Sequence, residues 1–104
     1  MGTGEDIKIL SLPGHTPGFQ GVRLMLQNTG VVFLSGCEVE DMYYGIPLRG
    51  HGPGIPHAFT WSASAELASL KKVRDLAAKE KGQIFCGHDG EQFKRLRHAP
   101  EYYE

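Results

Sequence analysis

A chain of 104 residues has room for one domain with a modest core. Hydrophobic residues at 40% beside 22% charged ones exclude a disordered segment. No apolar run reaches the length of a bilayer span, and eleven basic against twelve acidic side chains give no electrostatic case for nucleic acid or an acidic membrane. The start Met1-Gly2-Thr3-Gly4-Glu5-Asp6 lacks the basic and apolar regions of a signal peptide. The cytoplasm is therefore the expected compartment, and Cys37 and Cys86 are expected as reduced or metal-bound thiols rather than a disulfide.

Taken in order, Ile7 to Leu12 is rich in branched apolar residues and predicts a strand buried on much of both faces. It runs into Leu12-Pro13-Gly14-His15-Thr16-Pro17-Gly18-Phe19-Gln20-Gly21, a stretch with two prolines and three glycines. Proline fixes φ and glycine reaches conformations closed to other residues, so such a loop can hold an imidazole at a defined point beyond a strand. His15 is thus a candidate metal ligand or catalytic base, with an ordinary turn carrying an incidental histidine as the other reading. Val22, Leu24 and Leu26 then alternate with Arg23, Met25 and Gln27, the period of a strand with one face on a core. Asn28-Thr29-Gly30 turns the chain, and Val31 to Leu34 returns as a hairpin partner ending at Ser35-Gly36-Cys37.

From Glu38 to Trp61 the pattern breaks up into a stretch rich in proline and glycine that carries Tyr43, Tyr44, His51 and His57. Gly50-x-Gly52-x-Gly54 is not a dinucleotide fingerprint, because prolines interrupt it and no strand and helix flank it. The stretch reads as a substrate-facing loop, or else as a surface linker. Ser62 to Lys81 predicts one long helix, capped by Ser62 or Ser64, with Leu67, Leu70, Val73, Leu76 and Ala77 inward and Gly82 as the C-cap. Gln83 to Cys86 follows as a short strand delivering Gly87-His88-Asp89-Gly90, and a second helix is expected from Glu91 with Phe93 and Leu96 turned inward.

Three times a predicted strand ends in a small-residue turn bearing a metal-capable side chain: His15, Cys37 and His88. Zinc accepts imidazole nitrogen and thiolate sulfur, and two histidines with a cysteine leave a fourth position for water. No local Cys-x-x-Cys or His-x-x-x-His spacing exists, so only the fold can bring the three together. His51, His57 and His98 match no motif and are expected on the surface or lining a pocket.

Gly14-His15-Thr16-Pro17-Gly18 and Phe85-Cys86-Gly87-His88-Asp89, with a hairpin and a helix between them, resemble the C-terminal half of a metallo-β-lactamase-fold hydrolase. Within that superfamily the likeness is to the N-acyl homoserine lactonases, strengthened by Glu91-Gln92 and Pro100-Glu101-Tyr102. It covers almost the whole chain, from about Ile7 to Tyr102. The resemblance implies an α/β fold: half of an αββα sandwich, a mixed sheet with one long helix and a short C-terminal helix. Residues 1–104 would then form a single partial domain, the superfamily's H-x-H-x-D-H motif lying upstream of it, and half a sandwich should leave apolar sheet surface uncovered.

Carried over by residue, His15 resembles the histidine ligand of the G-H-[ST]-P-G motif and His88 the final histidine ligand, with Asp89 as a hydrogen-bond acceptor behind it. Cys37 falls where the family has an aspartate that bridges two metals, and a thiolate is softer and larger than a carboxylate. Phe19 stands where many relatives have a second histidine, and Glu40 where the lactonases often have a tyrosine, whose phenol Tyr43 or Tyr44 would supply. The complete domain would hold one or two zinc ions and hydrolyse a lactone or related ester by zinc-activated hydroxide, with the His51/His57 loop bordering the acyl pocket. The implied partners are that small molecule and either the missing N-terminal half or a second copy, with no nucleic acid or membrane. A glyoxalase-type thioesterase and a non-catalytic remnant acting as an interaction module are the alternatives.

Overall fold

The computed structural model describes residues 6–35, 61–87 and 90–104. Among these residues four strands form one mixed sheet in the order β1-β2-β3-β4: β1 (Ile7–Ser11), β2 (Gln20–Leu26), β3 (Gly30–Leu34) and β4 (Gln83–Phe85). Helix α1 (Ala63–Glu80) lies between β3 and β4 in sequence, and the short helix α2 (Gly90–Arg95) follows β4. Strands β1 to β3 are an antiparallel meander, with Ile9 opposite Val22 and Leu24 opposite Val32. Strand β4 joins parallel to β3, with Ile84 beside Phe33. A parallel pair cannot be closed by a tight turn, and α1 lies in the crossover. The consequence for the rim is directional: β1, β3 and β4 all run the same way, so their C-terminal ends share one end of the sheet.

The core lies between the sheet and α1. Leu12, Val31, Phe33, Val73 and Ala77 are buried together, with Leu10, Phe19, Leu76 and Ile84 packed around them. Ser62, in an extended conformation at φ −148°, caps α1 by accepting a hydrogen bond from the Ala65 N–H at 3.2 Å. The helix closes on Lys81, which is left-handed at φ 53°. Gly82, the expected cap, instead makes room for a close crossing. A Cβ there would come within 2.8 Å of Phe33 Cε2, so the missing side chain lets the chain pass close over β3.

Three expectations about faces are corrected. Strand β1 is an edge strand whose Ile7 and Ile9 remain 46% and 60% exposed, because nothing among the described residues covers the sheet face away from α1 at that edge. Val22 and Leu24 share that second face with Val32 and Leu34, so the alternating apolar set of β2 points away from the helix. At the other end of α2, Gln92 is buried whereas Phe93 is exposed and stacks on His98 with ring centroids 4.1 Å apart. On the second face Tyr103 meets Phe85 edge to face at 5.1 Å, and the Glu104 carbonyl accepts from the Asn28 and Thr29 N–H groups. No helix among the described residues is long and apolar enough to cross a membrane.

The helix-facing position in the middle of β2 is Arg23, opposite Phe33. It meets Glu80 at the end of α1: Nε donates to both carboxylate oxygens at 3.1 and 2.9 Å, and Nη2 to Oε1 at 2.6 Å. The two side chains are only 12% and 27% exposed. This hydrogen bonding holds the Glu80 carboxyl below its ordinary range. The stabilisation is therefore fully present above an ordinary carboxylate value of 4.5 and is lost as pH falls through the lower folded value. Thermal melts between pH 7 and pH 3 should show Glu80→Gln less stable than the natural chain by about 1 kcal/mol at pH 7, with the difference shrinking as the pH falls below 4.5.

Candidate functional site

The loop that carries His15 leaves β1 at Leu12, a buried residue whose N–H donates to the Phe19 carbonyl at 2.9 Å. That bond closes residues 12–19 into one compact turn, tightened by Gly14 N–H to Thr16 O at 3.0 Å and Phe19 N–H to Thr16 O at 3.3 Å. The start of α1 then clamps it from one side. Carbonyl oxygens of the loop accept from Ser62 N–H (to Gly14, 3.0 Å), Trp61 N–H (to His15, 3.2 Å) and Ser69 Oγ (to Pro13, 2.7 Å). Lys72 Nζ adds a fourth bond, to the Ser11 carbonyl at 3.0 Å.

Gly14 makes this approach possible. It sits at φ +154°, and a Cβ on it would lie 2.3 Å from Glu66 Cα and 2.5 Å from Glu66 N. Backbone meets backbone here, and no side chain fits between them. The His15 ring is half-buried on this fixed loop, with the Phe19 ring edge-on at 6.2 Å and 88°.

The other exits lie alongside. A Cβ on Gly21 would come within 2.7 Å of Leu12 Cδ1 and 3.0 Å of the Leu34 carbonyl, so the ends of β1 and β3 close over this glycine. Ser35, 1% exposed, continues β3 and donates its N–H to the Phe85 carbonyl at the end of β4 at 3.0 Å. Beyond β4, the Cys86 N–H donates to Gln92 Oε1 at 2.7 Å, and Gln92 Nε2 donates to the Ile84 carbonyl at 2.5 Å. Thus the described chain reaches Ser35, two residues before Cys37, and Gly87, one before His88, from the same end of the sheet as His15.

Of the residues singled out in the sequence, His15, Phe19, Cys86 and His98 lie among those described. Cys37, Glu40, Tyr43, Tyr44, His51, His57, His88 and Asp89 lie outside them. His98 belongs to the surface: it is exposed, and its Nε2 donates to the Phe93 carbonyl at 2.6 Å. Among the described residues no group of three or more His, Cys, Asp and Glu side chains is arranged to hold a metal. An imidazole on a backbone fixed by α1 nevertheless fits zinc, which takes nitrogen donors and gains from ligands held in place before it binds. The roles of Gln92 and of the start of α1 in holding these exits are not legible in the sequence. Their contributions are bonds to backbone groups distant in sequence, which leave no motif.

Mixed sheet, long covering helix and histidine loop together are part of a metallo-β-lactamase fold. The chain superposes over 100% of its length, with a TM-score of 0.72 and 29% identity, on 38% of a solved N-acyl homoserine lactone hydrolase that has the product N-hexanoyl-L-homoserine bound at its catalytic metal centre. It is homologous over nearly its whole length to the N-acyl homoserine lactonases: 32% identical over 99 residues to that of Bacillus thuringiensis, covering 92% of this chain and 36% of the relative. To the AttM lactonase of Rhizobium radiobacter it is 29% identical over 91 residues, covering 88% of this chain and 32% of the relative. The chain therefore spans about a third of the length of the curated relatives it matches. No family model matches it.

Proposed function

We propose that the chain is the part of a zinc-dependent lactone hydrolase that supplies His15, Cys37 and His88 to the metal site, acting on an N-acyl homoserine lactone or a related ester when joined by the polypeptide carrying the H-x-H-x-D-H ligands. The observation that supports this most is the clamped His15 loop at the sheet end where β1, β3 and β4 all terminate. Zinc, when bound, supplies Lewis-acid polarisation of the ester carbonyl and water of lowered pKa. The chain's own residues would orient and enclose that chemistry. The α1 start keeps the His15 backbone in place, Asp89 would accept a hydrogen bond from a ligand imidazole and fix its tautomer, and the stretch with His51 and His57 would border the acyl chain. The apolar second face of the sheet, where Ile7, Ile9 and Leu34 are exposed, is suited to covering by the completing polypeptide.

The test is zinc content and lactone turnover of the 104-residue chain, alone and mixed with the complementary segment of the Bacillus thuringiensis lactonase. Zinc uptake, with hydrolysis of N-hexanoyl homoserine lactone exceeding that of a thioester in the mixture, supports the proposal. Absence of both zinc and turnover from the mixture overturns it. His15→Ala is expected to weaken zinc binding in a competitive chelator titration by at least the roughly 10- to 100-fold that the outer partners of a ligand are worth, with little change in melting temperature because the loop's bonds to α1 are made by its backbone.

A further inference from the structure

Strand β4 has three residues and, among the described residues, one neighbouring strand, β3. The Phe85 carbonyl points toward β3, where it accepts from Ser35. By the alternation of a strand, the Ile84 carbonyl and the Cys86 N–H point to the opposite, open edge. These are the two groups that the Gln92 side chain engages, donating Nε2–H to the Ile84 oxygen at 2.5 Å and accepting the Cys86 N–H on Oε1 at 2.7 Å. A primary amide carries the same acceptor and donor as a peptide unit, so one side chain does for this edge what the next strand's backbone would do. Gln92 is 7% exposed, which shields both bonds from competing water. The chain then passes through Gly87 directly to His88.

We propose that Gln92 is the positioning residue of the chain's exit from β4: by pairing with the edge of β4 away from β3 it fixes the direction in which Cys86 and Gly87 leave the sheet, and with it where the next residue, His88, is delivered as a ligand. The proposal rests on the reading of His88 as a ligand. The mode of action is geometric. Two bonds, one on each side of Phe85, fix the peptide planes that flank it, whereas a single bond would leave the exit free to swing.

Two variants of the full chain test it. Gln92→Met keeps the side-chain length and removes both bonds. Gln92→Glu is a rescue that can be titrated, because the protonated carboxyl has an acceptor and a donor as the amide does, and the ionised one keeps only acceptors. Amide hydrogen exchange, expressed as protection factors, should show Cys86 losing roughly tenfold protection in Gln92→Met while Phe33 keeps its own. Gln92→Glu should restore Cys86 protection at a pH where its carboxyl is protonated. Titration with Co2+ of each chain mixed with the complementary lactonase segment, read by its visible absorption, should show binding weakened on the order of tenfold in Gln92→Met. Unchanged Co2+ affinity in Gln92→Met overturns the proposal, as does equal loss of protection at Cys86 and Phe33 without rescue by Gln92→Glu. Should the natural chain take up no Co2+ even in that mixture, the ligand reading of His88 falls, and the exchange comparison still decides whether Gln92 fixes the chain's exit from β4: unchanged Cys86 protection in Gln92→Met overturns that too.

Discussion

Replacement of Gly14 by alanine is expected to destabilise the chain by about 3 kcal/mol, at the upper end of what overpacking ordinarily costs. Two effects act together. The new Cβ would stand 2.3 Å from Glu66 Cα and 2.5 Å from its nitrogen, which no rotamer change can relieve because those atoms are helix backbone. The residue would also be held at φ +154°, which L-residues rarely adopt. Relief requires the loop and α1 to separate, breaking the bonds from Trp61, Ser62 and Ser69 to the loop carbonyls. Urea denaturation followed by circular dichroism measures the loss. A Gly14→Ala chain within about 1 kcal/mol of the natural one would show that the loop is not clamped as described.

Phe33→Ala should cost at least as much, about 3–5 kcal/mol. The ring is 1% exposed, and Phe33 is flanked in the sheet by Arg23 and Ile84 and packed with Val73 and Ala77. Removing it leaves a cavity where β2, β3, β4 and α1 meet. Against the roughly 5–15 kcal/mol that domains of this size possess, that is a large share of the stability, and the melting temperature should fall by at least about 12 °C. A cooperative melt shifted by only a few degrees would contradict the central place given to Phe33 in the core. The same experiment on Leu34→Ala, whose side chain is 38% exposed on the other face, provides the contrast.

Local patterns in the sequence were sufficient for the hairpin at Asn28-Thr29-Gly30, the helix from its serine cap and three-to-four spacing, and the three strand exits. They were not sufficient for the choice of faces. Alternation shows that one face of β2 is apolar, but whether α1 covers that face depends on a partner about fifty residues away. The helix in fact meets Arg23, made compatible by Glu80. Nor could a strand pattern show that β1 is an edge, since strand order is set by pairing rather than by composition. At the site, Gly-His-Thr-Pro-Gly announced a held histidine, whereas the groups that hold it are the N–H donors of Trp61 and Ser62 and the Ser69 hydroxyl, chosen by geometry alone. Gln92 stands out in the sequence only through a family likeness. Hydrophobic periodicity turns Phe93 inward in its place, because it cannot recognise an amide that replaces a strand.

The bonds between the His15 loop and the start of α1 have a consequence for cooperativity. Surface loops ordinarily open locally at small cost, independent of the elements they join. Here the loop's outward carbonyls are occupied by the first two turns of α1 and the residues just before it, so the loop cannot open without releasing the helix, and the helix is anchored in the core by Val73 and Ala77. Loop, helix start and core thus form one unfolding unit, and the imidazole at its edge inherits the persistence of the whole domain rather than that of a loop.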